Sequence, residues 1–357
     1  MSALGTTAEL DRAIVLALDE RPLDGAALKA VLDAARAGTL SSGADADVSF
    51  ERLLAGARAV RRRHFDNSLH LCAIVNAKSG DCTEDCAFCA QSGSHNTASP
   101  RHAFLEPLEI AAAAEAARAA GASRFGIVAS GLSLSEADFE RLLEAVHLVS
   151  QAGLYADVSV GLLTPSRLMR LKNAGLSGVH HNLETAKSFF PQICTTHDYE
   201  DDVEAVRLAL NTGLFVCCGG IFGLGESWEQ RAELGQTLLE LGVQNVPVNF
   251  LTPIPGTRLE HRSVLSRQEA LGILALLRLM LPKANLRVCG GRSAVFGPAG
   301  PQPEGGDGQR ALFNSGASGF MIGDYLTTSG SPIEADLALA RELGLSPTPT
   351  PNPARDR

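Results

Sequence analysis

The sequence predicts a (β/α)8 barrel of the TIM type with a helical N-terminal extension. Eight short runs rich in β-branched and apolar residues lie between residues 69 and 324, and most precede a helical hydrophobic pattern. Glycine stands just after several of these helical patterns, where a left-handed residue commonly ends a helix. Strands that alternate with helices form parallel sheets, and eight such units close into a barrel. An open, doubly wound sheet is the alternative.

The extension is expected to cover residues 1–66. Amphipathic helical patterns occupy 8–17, 25–37 and 50–64, and a polar loop rich in glycine, serine and aspartate fills 40–47. These segments predict three helices that cover one side of the barrel.

The barrel is expected to span residues 67–330, and 331–357 to form a C-terminal helix with a proline-rich tail that lacks packing capacity. The predicted strands are 69–76, 124–130, 155–161, 177–183, 214–223, 245–251, 285–291 and 319–324. Helical patterns between them include 110–120, 136–151, 198–211, 228–241 and 267–281.

Charge and hydropathy exclude several classes of protein. The formal net charge is -9, so a basic nucleic-acid-binding surface is not expected. The most apolar stretch, 270–281, is far shorter than the ~20 residues that cross a bilayer. The first ten residues show no secretory signal, and we expect a cytoplasmic protein without nucleic-acid or membrane partners.

The cysteines carry the chemistry. Cys82, Cys86 and Cys89 follow the first strand with the spacing C-x3-C-x2-C, which places them at the barrel mouth where active sites lie. Three thiolates can hold three irons of a [4Fe–4S] cluster and leave the fourth iron open. S-adenosylmethionine can chelate that iron through its amino and carboxylate groups, and one-electron reduction then yields a 5′-deoxyadenosyl radical.

Two other uses of these cysteines are weaker. A structural zinc site normally has four ligands in paired spacings, and His95 is the only nearby candidate for a fourth ligand. A redox disulfide between Cys86 and Cys89 is the other alternative.

The motif resembles that of the radical S-adenosylmethionine superfamily, and the longer string NAKSGDCTEDCAFCAQS (76–92) resembles the biotin synthase family. Other family-like strings are HHNLET (180–185), TTHDYEDD (195–202), CCGGIFGLGES (217–227), VPVNFLTPIPGT (246–257), RVCGGR (287–292) and SGFMIGDYLTT (318–328). The resemblance covers about residues 66–330 and implies conversion of dethiobiotin to biotin. It also implies a flavodoxin- or ferredoxin-type reductant and a homodimer.

In this family a second, auxiliary cluster supplies the sulfur. Its familiar [2Fe–2S] form is held by three strand cysteines and an arginine. By resemblance, Cys217 and Arg287 match two of these positions, whereas Gly126 and Asp157 stand where the other cysteines would be. An ordinary [2Fe–2S] ligand set is therefore incomplete.

Strand periodicity suggests replacements. Residues i and i+2 share one face of a strand, so Cys289 is expected on the same face as Arg287, and Cys218 on the face opposite Cys217. Cys72, on the first strand, lies below the mouth. We expect Cys72, Cys217, Cys289 and Arg287 to hold the auxiliary cluster, either [2Fe–2S] or a sulfur-rich 4Fe cluster. Of these residues, Cys217, Arg287 and Cys289 are predicted to act in sulfur transfer.

The resemblance also assigns small-molecule contacts. Phe88, Ser130, Asn182 and Glu184 are expected to bind S-adenosylmethionine. Asn249 and His180 are expected to bind dethiobiotin. The competing functions are another radical enzyme on the same scaffold and a non-catalytic iron–sulfur sensor or carrier. Lipoyl synthase is disfavoured, because no additional three-cysteine motif precedes residue 72.

Overall fold

The computed structural model of the chain describes residues 3–40, 44–297, 308–326 and 330–349. Its helices are α1 (Ala3–Leu18), α2 (Gly25–Leu40), α3 (Ala44–Phe65), α4 (Pro107–Ala119), α5 (Glu136–Gln151), α6 (Pro165–Ala174), α7 (Tyr199–Asn211), α8 (Trp228–Leu241), α9 (Arg267–Met280), α10 (Arg292–Phe296), α11 (Arg310–Asn314) and α12 (Ile333–Glu342). Its strands are β1 (Ser68–Lys78), β2 (Arg124–Ala129), β3 (Tyr155–Ser159), β4 (Leu176–His180), β5 (Phe215–Cys217), β6 (Gly220–Phe222), β7 (Asn245–Phe250), β8 (Asn285–Val288), β9 (Gly319–Met321) and β10 (Ser346–Pro347).

The strands form a closed parallel barrel. Neighbours follow the order β1, β2, β3, β4, β5, β7, β8 and β9, and β9 pairs with β1. The short strand β6 also pairs with β7, so β5 and β6 together fill one position of the barrel. The closed sheet confirms the predicted barrel, and the open-sheet alternative is wrong. Its strands share one C-terminal mouth, so the loops that follow them surround a single site.

Several predicted strands run too far toward the mouth. The prediction 177–183 is wrong beyond His180, where β4 ends, and 285–291 is wrong beyond Val288, where β8 ends. The predicted strand 214–223 is divided at Gly219, where an added Cβ atom would lie 2.1 Å from the Pro247 carbonyl oxygen. The residues just beyond these strand ends have a strand-like composition, but they belong to the loops of the mouth.

The N-terminal helices pack on the barrel through α9. Both α2 and α3 contact α9, whose residues Ala270 to Met280 are all buried. A helix that is apolar on all sides needs neighbours that cover all of its sides, and in α9 these neighbours are protein. The most apolar stretch of the sequence is therefore a buried helix and not a membrane span. The predicted loop 40–47 is wrong from Ala44 onward, because α3 begins there; residues 41–43 lie outside the described part of the chain.

The C-terminal segment joins the lower edge of the barrel. Strand β10 pairs with the start of β1, and the Thr348 amide donates to the Leu69 carbonyl oxygen at 2.8 Å. The expectation that the proline-rich tail does not pack is therefore wrong for residues 347 and 348, while 350–357 lie outside the described residues. The division at residues 66 and 330 stays a prediction.

Among the described helices, none combines the length and apolar character that a bilayer crossing requires.

Candidate active site

A cavity of about 270 Å³ opens at the C-terminal ends of the strands. Thirteen residues were predicted to hold the clusters or to bind S-adenosylmethionine or dethiobiotin. Twelve of them line this cavity, and Cys86 does not. The lining residues from that set are Cys72, Cys82, Phe88, Cys89, Ser130, His180, Asn182, Glu184, Cys217, Asn249, Arg287 and Cys289. One cavity therefore unites predicted site residues from six strands or the loops that follow them.

The loop after β1 carries the three clustered cysteines. It begins with Gly80 and Asp81 in the left-handed region, at φ of 84° and 52°, which turns the chain back over the mouth. The Cys82 amide donates to the Gln91 carbonyl oxygen at 3.1 Å, and the Cys89 amide donates to the Cys86 carbonyl oxygen at 3.0 Å. All three thiols are half-buried and free of disulfide bonds. His95 Nδ1 contacts the Cys89 carbonyl oxygen at 2.8 Å, so this ring atom is engaged by the backbone.

A second loop, residues 193–197, holds the cysteine loop in place. The Thr195 amide and hydroxyl donate to the two carboxylate oxygens of Asp85 at 2.8 and 2.6 Å. Arg258 donates to the carbonyl oxygens of Asp85 and Ile193 at 2.5 and 2.9 Å and so joins the two loops. The family-like string TTHDYEDD thus has a positioning role that sequence reasoning did not identify.

Cys86 points toward this second loop. Its Sγ atom lies 3.9 Å from that of Cys194, which is buried. Cys194 Sγ in turn lies 3.3 Å from His197 Nδ1, and this nitrogen lies 2.8 Å from a carboxylate oxygen of Glu84. Hydrogen bonding to Asp202 outweighs partial burial and, with help from Glu84, raises the pKa of His197 to about 9.

Three thiols and one guanidinium meet deeper in the cavity. Arg287 is fully buried, and its Nη2 donates to Cys217 Sγ at 3.0 Å. The thiols of Cys72 and Cys289 line the same cavity, and both interact electrostatically with this guanidinium. Arg287 Nε and Nη1 are buried without a hydrogen-bond partner. Cys218 packs in the apolar layer between strands and helices, on the face that the strand alternation predicts.

Gly126 and Asp157 stand where the family resemblance places cysteines, and a row of buried polar side chains lies there. Asp157 accepts hydrogen bonds from Arg124 at 2.7 and 2.5 Å, and both side chains are fully buried. His180 Nε2 lies 2.9 Å from Asp157 Oδ2. A Cβ atom at Gly126 would lie 3.5 Å from the His180 ring, so the imidazole fills the space beside this glycine.

Polar groups on the other side of the cavity surround an open volume. The Gly219 amide donates to Asn182 Oδ1 at 3.2 Å, and Glu184 lines the cavity two residues further on. Glu184 has a positive φ of 61°, and its Oε2 atom is buried without a partner. Burial, with repulsion by Asp202, raises the pKa of Glu184 to about 8. Its carboxyl group is therefore available to hydrogen-bond a ligand.

Three further predicted residues have defined surroundings. The Ser130 hydroxyl donates to the Gly80 carbonyl oxygen at 2.7 Å, which joins the end of β2 to the cysteine loop. The side chain of Phe88 packs against a small apolar cluster at the mouth. Asn249 donates to the Gly220 carbonyl oxygen at 3.2 Å and accepts from the Gly290 amide at 2.9 Å. Its amide keeps one hydrogen and one lone pair for a ligand.

Sequence reasoning missed other lining residues, including Gln91, Ser159, Ile221 and Tyr325. Tyr325 lies within the family-like string SGFMIGDYLTT, which was its only signal. Gln91 lies in the string around the three cysteines, but no spacing rule marks its side chain.

Two family models match the chain. The model of the radical SAM superfamily matches residues 78–238, and that of the Biotin and Thiamin Synthesis associated domain matches residues 247–346. The first range includes the three clustered cysteines, and the second includes Arg287 and Cys289.

Curated relatives agree with this result. The chain is 48% identical to the biotin synthase of Nitratidesulfovibrio vulgaris (strain DSM 19637 / Miyazaki F), with 83% of this chain and 82% of that protein covered. It is 46% identical to the biotin synthase of Geobacter metallireducens, with 86% and 90% covered. It is also 46% identical to the biotin synthase of Trichlorobacter lovleyi, with 90% of this chain and 93% of that protein covered.

Solved structures support the fold. Methylornithine synthase superposes with a TM-score of 0.77 at 21% identity, covering 94% of this chain and 97% of that one. The FeFe-hydrogenase maturase HydG from Carboxydothermus hydrogenoformans gives 0.76 at 18% identity, with 98% and 82% covered. At this identity the likeness concerns the barrel alone. The relatives at 46–48% identity, together with both matching family models, place this enzyme in the biotin synthase family of the radical SAM superfamily.

Proposed function

We propose that this chain converts dethiobiotin to biotin by radical-mediated sulfur insertion. In this proposal Cys82, Cys86 and Cys89 hold a [4Fe–4S] cluster, and a deeper set of thiols holds the sulfur donor. The observation that carries the proposal is the buried Arg287, which lies among three thiols below the cysteine loop in the same cavity.

The mouth of the cavity offers two of the three thiols for the first cluster, and Cys86, which points toward Cys194, would turn inward to complete the set. Membership of the superfamily implies both this cluster and S-adenosylmethionine. Cys82 and Cys89 open onto the cavity from a loop that backbone hydrogen bonds hold in place. The unpartnered Oε2 atom of Glu184 is an acceptor for ribose hydroxyl groups, which donate hydrogen bonds. Phe88 offers an apolar surface for the adenine, and Ser130 lies on the turn proposed to meet the methionine end.

The floor of the cavity fits an anionic cluster. A buried guanidinium with two unpartnered nitrogens needs a compensating charge, and burying it alone would be costly. A cluster ligated by Cys72, Cys217 and Cys289 would supply that charge and could accept hydrogen bonds from the two unpartnered nitrogens. The proposed ligand set therefore explains a feature of the metal-free chain that packing does not explain. Both a [2Fe–2S] cluster and a sulfur-rich 4Fe cluster remain within this proposal.

When bound, the [4Fe–4S] cluster supplies the electron that cleaves S-adenosylmethionine, and the auxiliary cluster supplies the sulfur. The chain itself positions the reactants. The amide of Asn249, fixed between two backbone segments, presents its remaining N–H and lone pair to the ureido ring of dethiobiotin. His180, fixed by Asp157, would orient the same substrate from the opposite side.

An anaerobic single-turnover assay tests the proposal by measuring biotin and 5′-deoxyadenosine. The wild type is expected to form both, and Cys289→Ala is expected to form 5′-deoxyadenosine with little biotin. Cys218→Ala is the matched control, because it removes a buried thiol on the opposite face of the same barrel position as Cys217. Biotin formation unaffected by Cys289→Ala would contradict the auxiliary ligand set. No 5′-deoxyadenosine from the wild type would favour a non-catalytic iron–sulfur protein.

Iron and sulfide analysis tests the second cluster without activity. A triple variant with Cys82, Cys86 and Cys89 replaced by alanine should retain the iron of the auxiliary site. Complete loss of iron in this variant would argue against two separate clusters.

The proposal also includes a flavodoxin- or ferredoxin-type reductant, a homodimer and a cytoplasmic location. The reductant and the dimer rest on the sequence resemblance, and the location rests on the composition and the first ten residues. Light scattering on the purified protein would test the dimer.

A further inference from the structure

A third group of metal-binding side chains lies behind the cysteine loop, outside the main cavity. Glu84 comes from the cysteine loop, and Cys194 and His197 come from the loop that holds it. Their ligand atoms all lie within 4.8 Å of one another. We propose that Glu84, Cys194 and His197 bind a divalent cation of borderline softness, with Zn²⁺ as the best match. This inference is independent of the proposed function.

The distances suit a tetrahedral zinc ion. Zinc binds sulfur at about 2.3 Å and nitrogen at about 2.0–2.1 Å, which sets the two ligand atoms roughly 3.5 Å apart in a tetrahedral site. Cys194 Sγ and His197 Nδ1 lie 3.3 Å apart. His197 Nδ1 lies 2.8 Å from Glu84 Oε2, so this pair needs only a small separation to admit an ion. One sulfur, one nitrogen and one oxygen ligand leave the fourth position for water.

The orientation of His197 is a second, independent observation. Its Nε2 atom lies 3.3 Å from Asp202 Oδ2, and the other oxygen of Asp202 lies 2.7 Å from His181 Nε2. A carboxylate behind a metal-binding histidine fixes its tautomer and directs the opposite nitrogen to the metal. The ring of Phe190 packs edge-on against His197, with centroids 5.5 Å apart. Asp202 and Phe190 therefore hold the ring so that Nδ1 is directed at Cys194 and Glu84.

Charge and burial also favour a cation. Glu84, Asp202 and Cys194 are all buried, and two of them are carboxylates. On binding, Zn²⁺ would replace the thiol proton of Cys194 and any proton on His197 Nδ1, and both protons pass to solvent. The ion would then join the cysteine loop to residues 194–197. Because Cys194 Sγ lies 3.9 Å from Cys86 Sγ, it would also lie next to a ligand of the radical-generating cluster.

Zinc retention by cluster-loaded protein tests the site. Full-length protein with its full iron and sulfide content is dialysed against Zn²⁺, exchanged into metal-free buffer and analysed for zinc and iron. The wild type is expected to keep one zinc ion per chain without losing iron. Glu84→Gln and His197→Gln should lose it, and Asp202→Asn should bind it about 10–100-fold more weakly. His261→Gln is the control, because that side chain is 93% exposed and lies elsewhere.

Zinc X-ray absorption separates this site from the cluster cysteines. One sulfur with nitrogen and oxygen neighbours supports the proposal, whereas two or more sulfur neighbours would assign the zinc to displaced cluster ligands and overturn it. Equal zinc content in the wild type and His197→Gln, at full iron content, would also overturn it. Thermal unfolding shows whether each variant is folded. Asp202→Asn leaves all three proposed ligands in place, so weaker zinc binding in this variant measures the effect of orienting His197.

Discussion

At the residue scale, Gly126, Asp157 and His180 lie together inside the barrel. Positions 126 and 157 carry cysteines in the familiar members that the sequence resembles. Here the His180 ring fills the space beside Gly126, and Asp157 is committed to Arg124. Neither position can supply a thiolate, and the sulfur ligands proposed for the floor come from Cys72 and Cys289. Both of these cysteines line the same cavity.

The first prediction concerns the buried ion pair. Asp157→Ala should lower the free energy of unfolding by about 3–5 kcal/mol, because it leaves the fully buried Arg124 without its carboxylate. Urea unfolding of the cluster-free protein would measure this. Glu140→Ala is the control: its pair with Arg170 is about half exposed, and the expected loss is under about 1 kcal/mol. Equal losses in the two variants would contradict the burial argument.

A second prediction follows from the raised pKa of Glu184. Its value rises from 4.5 to about 8, so within that range the folded chain holds a proton that the unfolded chain has lost. This contribution is complete below the unfolded pKa and disappears as the pH rises through the folded one. Stability of the cluster-free wild type should therefore fall with rising pH, by at most about 1.4 kcal/mol per pH unit, relative to Glu184→Gln. Urea unfolding at several pH values checks this, and parallel curves would contradict it.

At the scale of elements, the site depends on where strands stop and loops begin. Strands β5 and β6 are separated because the backbone at Gly219 approaches the Pro247 carbonyl oxygen. This interruption follows Cys217 directly and precedes the segment that holds Asn249 through the Gly220 carbonyl oxygen. The cysteine loop is held in a comparable way by the bonds between Asp85 and Thr195. Loop geometry, rather than strand content, thus positions most of the functional groups.

The third prediction concerns this interruption. Gly219→Ala should destabilise the cluster-free protein by roughly 1–3 kcal/mol or more, because its Cβ atom would lie 2.1 Å from a backbone oxygen that cannot move freely. The midpoint of urea unfolding is the measurement. Gly25→Ala, where an added Cβ atom has no neighbour within 4 Å, should change the midpoint little. Unchanged stability in Gly219→Ala would show that the two segments can separate at low cost.

For the whole molecule, helix α9 links the barrel to the N-terminal helices. It is buried on the barrel side and on the side covered by α2 and α3, so these helices form part of one continuous core. At the lower edge, β10 pairs with β1, and His70 Nδ1 lies 3.2 Å from the Thr348 carbonyl oxygen. The extension therefore supports the barrel through α9, and the C-terminal segment supports its lower edge.

The fourth prediction tests the contribution of α3 to this core. Leu53 is fully buried, and Leu53→Ala should cost about 2–5 kcal/mol through lost burial and a residual cavity. Val48 lies on the same helix with 64% of its surface exposed, so Val48→Ala should have little effect. Chemical unfolding of the two variants side by side gives the comparison. A small loss for Leu53→Ala would mean that α3 contributes little to the stability of the barrel.

Local sequence patterns carried much of this architecture. The alternation of strands and helices predicted the barrel, and the spacing of Cys82, Cys86 and Cys89 predicted their common loop. Strand alternation predicted that Cys289 shares a face with Arg287 and that Cys218 lies on the face opposite Cys217. Both predictions depend only on the two-residue period of the strand backbone. Strand ends were predicted less well, since the residues beyond His180 keep separate hydrogen bonds to Cys217 and Gly219 but no continuous ladder.

The sequence by itself determined the fold class, the cysteine loop and the family, because each depends on local periodicity or on strings of adjacent residues. Only the tertiary structure showed that Cys72, Cys217 and Cys289 surround one buried guanidinium. It alone brought Cys194, His197 and Glu84 together behind the cysteine loop. These contacts join residues tens to hundreds of positions apart. Barrel closure and loop packing decide such contacts, and no local pattern in the chain specifies which distant side chains they bring together.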